Sequence, residues 1–302
     1  MTTRALITGA SGFTGRHLAA ALRLAGHDVH AIVQQADPQA TADIGTIHPC
    51  DLTDADACRD VVAAVEPDLV IHLAAISFVA HDDPEDMYRV NLLGTRNLLD
   101  ALACAPRTPT AVLIASSANI YGNRSSGILT EDTPVRPVND YGVSKAAAEL
   151  LCGTYAADLP LIIARPFNYT GVGQSSRFLI PKIVDHVRRG EREIKLGNIK
   201  VARDFSDVRT LIDAYLRLLA EPKAIGRTFQ ICSGKAISLE TILDWITAIS
   251  GRTLSVMVDP ALVRGNEVTS LCGTPARIEA LIGPLRHIPL RETLGWMLNH
   301  DG

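Results

Sequence analysis

No apolar stretch in this 302-residue chain approaches the ~18–20 residues that a membrane-spanning helix needs, so no membrane partner is expected. No block of lysine or arginine stands out, and the net charge is −4. Nucleic acid is therefore not an expected partner, although a local basic pocket for a phosphate is compatible with that balance. No C-x-x-C pair occurs among the cysteines at 50, 58, 104, 152, 232 and 272. That scatter excludes a zinc-ribbon spacing and suits reduced, buried thiols in a cytoplasmic protein. The chain runs from MTTR straight into a strand-like ALIT, without the pattern of a secretory leader. Internal repeats and low-complexity tracts are also missing. What remains is a globular composition, 47% hydrophobic and 21% charged, with length for one large domain or two modest ones.

Short β-rich runs alternate with helical patterns through the first half. ALIT (5–8), DVHAIV (28–33), DLVIHL (68–73), TAVLIA (110–115) and LIIARP (161–166) read as strands bounded by turn residues. Between them RHLAAALRLAG (16–26), DACRDVVAAV (56–65) and YRVNLLGTRNLLDALA (88–103) carry apolar residues at helical spacing. Apolar strands alternating with helices imply an α/β fold, a doubly wound parallel sheet of the Rossmann kind covered on both faces. After about residue 167 the regularity fades. Helical patterns near 178–189, 207–220, 238–250 and 290–298 flank a polar, basic stretch, GEREIKLGNIKVARD, and a short strand, TFQICS (228–233). The expected division is a nucleotide-binding domain of 1–166, completed by about 206–235, and a smaller C-terminal substrate-binding domain of 167–205 and 236–302.

TGASGFTG (8–15) follows the first strand and opens the first helix, with glycines at 9, 12 and 15. Glycines there let the backbone turn tightly and approach a pyrophosphate, while the helix N-terminus offers N–H groups and a positive dipole end. Gly9, Ser11, Gly12, Phe13, Thr14 and Gly15 are thus expected to touch a dinucleotide. The second strand ends in Val33-Gln34-Gln35, where an acid would meet a ribose hydroxyl and an arginine a 2′-phosphate. Neither is present. The reading leans to NADP(H), with NAD(H) left open and Gln34 as the candidate contact. Arg16 is a possible phosphate group or a solvated helix residue. Asp51 and Leu52 are candidates for the adenine, and Asp51 could equally cap the helix that follows.

Tyr141 and Lys145 form Y-x-x-x-K in DYGVSKAAAELL, a helical composition that places both on one face. An ammonium beside a phenol favours the phenolate, so Lys145 is expected to lower the Tyr141 pKa. With the hydroxyl of Ser117, in the run SSANIYG (116–122), they make a proton relay for interconverting an alcohol and a carbonyl.

Taken in order, TGASGFTG, HLAA (72–75), VNLLGTRNLL (90–99), SSANIYG, YGVSK and RPFN (165–168) resemble the extended short-chain dehydrogenase/reductase superfamily, nucleotide-sugar branch. The resemblance implies cofactor contacts at Leu73, Ala74, Ala75, Tyr141 and Lys145. It implies a catalytic set of Ser117, Tyr141 and Lys145, with Asn91, Ser117, Asn119 and Asn168 facing the substrate. Downstream, RPFNYTGVGQ, KLGNIKVARDFSDV, AYLRLL and VDPALVR are similar to GDP-4-keto-6-deoxy-D-mannose reductases and their GDP-mannose 4,6-dehydratase relatives. By that similarity Lys195, Arg203 and Arg264 are candidate contacts to the substrate's diphosphate or nucleotide. Tyr169, Val172 and Gly265 depart from the subgroup's usual text, where histidine, proline and proline are frequent.

Dehydratases of this branch carry an acid and a base after the catalytic hydroxyl, where this chain has Ala118 and Asn119. Neither transfers a proton near neutral pH, which disfavours dehydration. The cysteine and histidine that the resembling GDP-fucose synthases use for epimerisation are also absent from the matching positions. The expectation is NADPH-dependent reduction of the C4 ketone of a nucleotide-linked 4-keto-6-deoxyhexose, namely GDP-4-keto-6-deoxy-D-mannose to GDP-D-rhamnose. A C4-epimerase with bound NAD and a non-catalytic NAD(P)-binding regulator are the alternatives. The resemblance also implies a homodimer built from the helices near 88–103 and 141–156, with Leu92, Leu98, Leu99, Leu150 and Leu151 available.

Overall fold

The computed structural model describes residues 2–35, 43–78, 83–123, 127–260 and 270–300. Its strands, in chain order, begin with β1 (Arg4–Thr8), β2 (Asp28–Val33), β3 (Thr46–Pro49), β4 (Leu69–His72) and β5 (Ala111–Ala115). They continue with β6 (Ile128–Leu129), β7 (Leu161–Pro166), β8 (Asn168–Thr170), β9 (Glu193–Leu196) and β10 (Ala202–Asp207). The last four are β11 (Thr228–Ile231), β12 (Ala236–Ser238), β13 (Ser255–Val258) and β14 (Ser270–Gly273).

The main sheet is parallel throughout, in the order β11-β7-β5-β4-β1-β2-β3. Its strands are apolar because both faces are covered. In β1, Ala5 and Ile7 join the core under the Phe13–Leu24 and Val208–Leu219 helices, while Leu6 joins the opposite core under Ala55–Val65 and Gly94–Ala103. The chain leaves β1 toward β2 on one side and is flanked by β4 on the other. A crevice therefore opens beyond the carboxyl ends of β1 and β4, where sheets of this kind hold ligands. This is the doubly wound Rossmann architecture that the alternation implies.

The irregular half folds into shorter pieces. A smaller sheet runs β12-β10-β14-β6, with β8 beside β10, and β9 pairs with β13. The polar stretch 190–204 thus supplies a strand, β9, and the start of another, β10. A third core forms between the helices Leu179–Arg188, Leu239–Ser250 and Leu290–Asn299 and strand β9. Another segment departs from the sequence reading. Pro84–Tyr88, a π-helical turn Arg89–Leu93 and Gly94–Ala103 run on without a break. The Thr95 hydroxyl donates to the carbonyl of Asn91, within this widened turn, at 2.6 Å.

Of the leucines expected at a dimer face, Leu98 and Leu99 are instead fully buried in the core. Leu92 and Leu151 are half-buried, and Leu150 is 79% exposed. Among the described residues no helix is long and apolar enough to cross a membrane, and no cluster of metal ligands occurs.

Candidate active site

A cleft of about 1160 Å³ lies over the carboxyl ends of the main strands. At one end the glycine loop forms its floor. Gly9 turns with φ +67°, and a Cβ there would sit 2.8 Å from the Ala74 backbone nitrogen and Cα. At Gly15 a Cβ would sit 2.5 Å from the Ala10 Cα, so the loop closes on itself only because both residues lack side chains. The first helix begins at Gly12 with no side-chain cap and no acid in its first turn. Its leading N–H groups and positive dipole end are left available to an anion. Ser11, Phe13, Thr14, Leu73, Ala74 and Ala75 line the cleft around this point. The cradle fits the diphosphate of a dinucleotide.

Gln34, Asp51 and Leu52 line the same end. Asp51 takes the Thr53 amide and hydroxyl at 2.8 Å on one oxygen and the Gln34 side-chain amide at 3.3 Å on the other. Those Thr53 bonds hold its carboxyl below the usual range. The cap of the Ala55–Val65 helix is Asp54, not Asp51. Arg16 folds back, its Nε donating to the Ser11 carbonyl at 2.9 Å.

The catalytic candidates stand at the end of β5. Ser117 is buried and caps the short turn Ala118–Tyr121, its Oγ accepting from the Asn119 backbone N–H at 3.2 Å and side-chain Nδ2 at 3.1 Å. Tyr141 and Lys145 project from the Asp140–Gly153 helix, which Asn139 caps through the Gly142 N–H at 2.8 Å. The Ser117 hydroxyl stands near Tyr141 and works to lower its phenol pKa. A Cβ at Gly142 would lie 2.7 Å from the Asn119 carbonyl oxygen, so the missing side chain lets this helix rest on the serine turn.

The electrostatics correct one expectation. Burial pushes the Tyr141 phenol well above its ordinary value, and the neighbouring Tyr169 adds to the rise. Lys145 does not reverse this. Its amine is itself pushed down to about 8 by burial and donates to the Ala115 carbonyl at 2.8 Å. Desolvation outweighs the favourable pairing that a shared helix face suggests.

Beneath the site lies a brace that sequence reasoning missed. Ser116, next to the catalytic candidate, points away from it and donates to Glu149. Glu149 is paired with Arg165 at 2.6 Å, and Arg165 also donates to the Tyr121 hydroxyl and the Glu131 carbonyl, each at 2.9 Å. Gln230 adds a bond to Tyr121 at 2.8 Å. The end of β5, the Tyr141 helix, β7 and β11 are thereby tied together. Arg165 stands in RPFN, whose asparagine carries the motif's signal, and Glu149, four residues past Lys145, has no signal of its own in the sequence.

A second brace explains Asn91. Its side chain accepts from the Ile76 N–H at 2.7 Å and donates to the Ile76 carbonyl and the Ser144 hydroxyl, each at 3.0 Å. It is buried and is not among the residues that line the cleft. His72 lies behind it, held neutral by burial and by Lys145 with a pKa of about 3. Thr8 accepts from the Ala74 N–H at 3.1 Å and lies 2.7 Å from His72 Nδ1, to which it donates when the neutral ring carries its proton on Nε2. His72 Nε2 then donates to Thr95 at 2.8 Å, whose own proton goes to Asn91.

At the far end Asn168 and Arg203 line the cleft. Asn168 donates to the Asp204 carbonyl at 3.2 Å and Arg203 to the Ala202 carbonyl at 2.9 Å. Asp204 is fully buried and anchors the loop after β11, accepting from Ser233 at 2.7 Å and the Gly234 N–H at 2.9 Å. Lys195 is exposed on β9 and is not among the residues that line the cleft. Arg264 lies outside the described residues. Arg177 and the edge-to-face pair Phe78–Phe178, centroids 6.3 Å apart, line this end without having been anticipated.

Comparison with known proteins adds to this geometry. GDP-6-deoxy-D-mannose reductase of Pseudomonas aeruginosa is 34% identical, over 99% of this chain and 97% of that protein. GDP-6-deoxy-D-talose 4-dehydrogenase of Aggregatibacter actinomycetemcomitans is 32% identical, over 92% of this chain and 90% of that one. A Burkholderia cenocepacia protein described as a candidate epimerase has a crystal structure that superposes with a TM-score of 0.92. It is 48% identical and covers 98% of this chain and 97% of its own. The Pseudomonas aeruginosa RMD structure with NADPH gives 0.84 at 31% identity, covering 98% of both chains. The sequence profile of the NAD dependent epimerase/dehydratase family matches residues 5–232, and the chain belongs to that family.

Proposed function

We propose that this protein uses NADPH to reduce the C4 ketone of a GDP-linked 4-keto-6-deoxyhexose, in the manner of GDP-4-keto-6-deoxy-D-mannose reduction to GDP-D-rhamnose. As a member of its family it is an NAD(P)-dependent enzyme of nucleotide-sugar metabolism. The observation that carries the finer reading is the buried Ser117–Tyr141–Lys145 group at the end of β5, beside Ala118 and Asn119. Ketone reduction needs one proton, and Tyr141 keeps its proton because burial disfavours the phenolate. Dehydration needs further proton transfers that residues 118 and 119 do not provide.

The nicotinamide cofactor, when bound, supplies the hydride. Gly12, Phe13 and Thr14 would hold its diphosphate on the helix N-terminus, and Lys145 would serve its ribose hydroxyls. Ser117 donates to the ketone oxygen, and Tyr141 gives its proton to the alkoxide that forms there, where stabilisation matters most. Asn168 and Arg203 serve the substrate's diphosphate. A cytoplasmic homodimer belongs to this reading, with Leu93, Val143 and Leu150 exposed on the helices expected to pair.

A C4-epimerase with retained NAD is the second reading, favoured by the Burkholderia cenocepacia relative. The sugars named in the two GDP-sugar relatives, 6-deoxy-D-mannose and 6-deoxy-D-talose, differ only at C4. The face that receives hydride thus decides the product. The test is oxidation of NADPH and NADH against GDP-, dTDP- and UDP-4-keto-6-deoxy sugars, with product configuration at C4. The reductase consumes one reduced cofactor per sugar and prefers a GDP sugar with NADPH. Interconversion of C4 alcohols without net consumption would establish the epimerase.

A further inference from the structure

We propose that Asn119 is a positioning residue that commits the Ser117 hydroxyl to donating its proton toward the substrate side of the cleft. The inference rests on the reductase reading above. A serine hydroxyl has two lone pairs and one proton. At Ser117 two N–H groups of one residue meet the oxygen, the Asn119 backbone at 3.2 Å and its Nδ2 at 3.1 Å. With both lone pairs taken, the proton is left for an oxygen on the other side. Tyr141 lines the same cleft beside Ser117, so its hydroxyl, or the ketone brought up beside it, is the acceptor that this proposal assigns. Tyr141, accepting from Ser117, keeps its own proton for the substrate.

The reverse arrangement needs an acceptor at position 119. A carboxylate there would draw the Ser117 proton toward itself, and Ser117 would then accept from Tyr141. Both protons of the relay would point away from the ketone. The amide nitrogen of Asn119 therefore sets the polarity of the whole set. The side chain is exposed to the cleft, whereas its backbone is pinned, because the Asn119 carbonyl packs on Gly142 of the Tyr141 helix. A substitution at 119 consequently changes hydrogen bonding without opening a cavity in the core.

The experiment compares Asn119→Asp and Asn119→Ala with wild type in kcat and KM for the sugar that the wild type reduces, with Tyr141→Phe alongside. At about pH 8, Asn119→Asp is expected to lose at least about tenfold in kcat, with KM changed by less than about twofold. The deficit should shrink as pH falls toward about 4, where the carboxyl gains a proton and can donate to Ser117 again. Asn119→Ala should lose less, with a deficit that does not vary with pH. Wild-type turnover in Asn119→Asp, or the same pH-independent deficit in both variants, would overturn the proposal while leaving the reductase reading intact. Full activity in Tyr141→Phe, or a wild type that reduces no sugar of the panel, would bring down the reductase reading and this inference with it.

Discussion

The phosphate end and the catalytic end of the cleft are built by opposite means. At the phosphate end the chain leaves side chains out: Gly9 and Gly15 close the loop by contacts that any Cβ would break, and no side chain caps the helix at Gly12. At the catalytic end it packs polar side chains together, with Glu149 and Arg165 beneath Ser116 and Asn91 wedged between Ile76 and Ser144. The first end should tolerate lost atoms but not added ones. The second should show the reverse.

Glu149→Ala gives the largest expected effect, because it strands the buried Arg165 guanidinium. A loss of about 3–5 kcal/mol is expected in urea or thermal unfolding. Gly15→Ala comes next and acts by addition. Cofactor affinity, read by titration calorimetry, should fall by about a hundredfold, since the loop must shift to admit one methyl group. If Gly15→Ala binds normally while Glu149→Ala is silent, the contrast between the two ends is wrong.

Lys145 provides a smaller effect with a definite sign. Its folded pKa of about 8 lies below the ordinary 10.5, so between those values the unfolded chain holds more protons than the folded one. Its contribution to cofactor-free stability should therefore rise with pH across that window, by at most about 1.4 kcal/mol per pH unit. Lys145→Met should remove that slope. Lys195→Ala sharpens the comparison by doing little. Because the side chain is exposed outside the cleft, kcat/KM for the sugar should stay within about twofold of wild type.

The same contrast explains what could be read in advance. Backbone-built features announce themselves in sequence: β1, β2, β4, β5 and β7 are mostly apolar runs, and Gly9, Gly12 and Gly15 stand at fixed positions after the first of them. Side-chain-built features appear only on contact. Glu149 and Arg165 are unremarkable letters until β7 passes the Tyr141 helix. Asn91 matched an active-site motif by its text, yet its amide spends its bonds on Ile76 and Ser144. Strands β8, β12 and β14 were illegible for another reason: they are three or four residues long and pair only with distant partners, too short to show a period. The rise of the Tyr141 pKa is invisible in sequence because a shared helix face says nothing of burial.

The most direct test of the central claim is the stoichiometry of NADPH oxidation with GDP-4-keto-6-deoxy-D-mannose, measured in wild type and Tyr141→Phe. One NADPH consumed per alcohol formed at C4 is predicted for wild type. The variant should turn over at least about a hundredfold more slowly while still binding NADPH. Undiminished reduction by Tyr141→Phe would contradict the account.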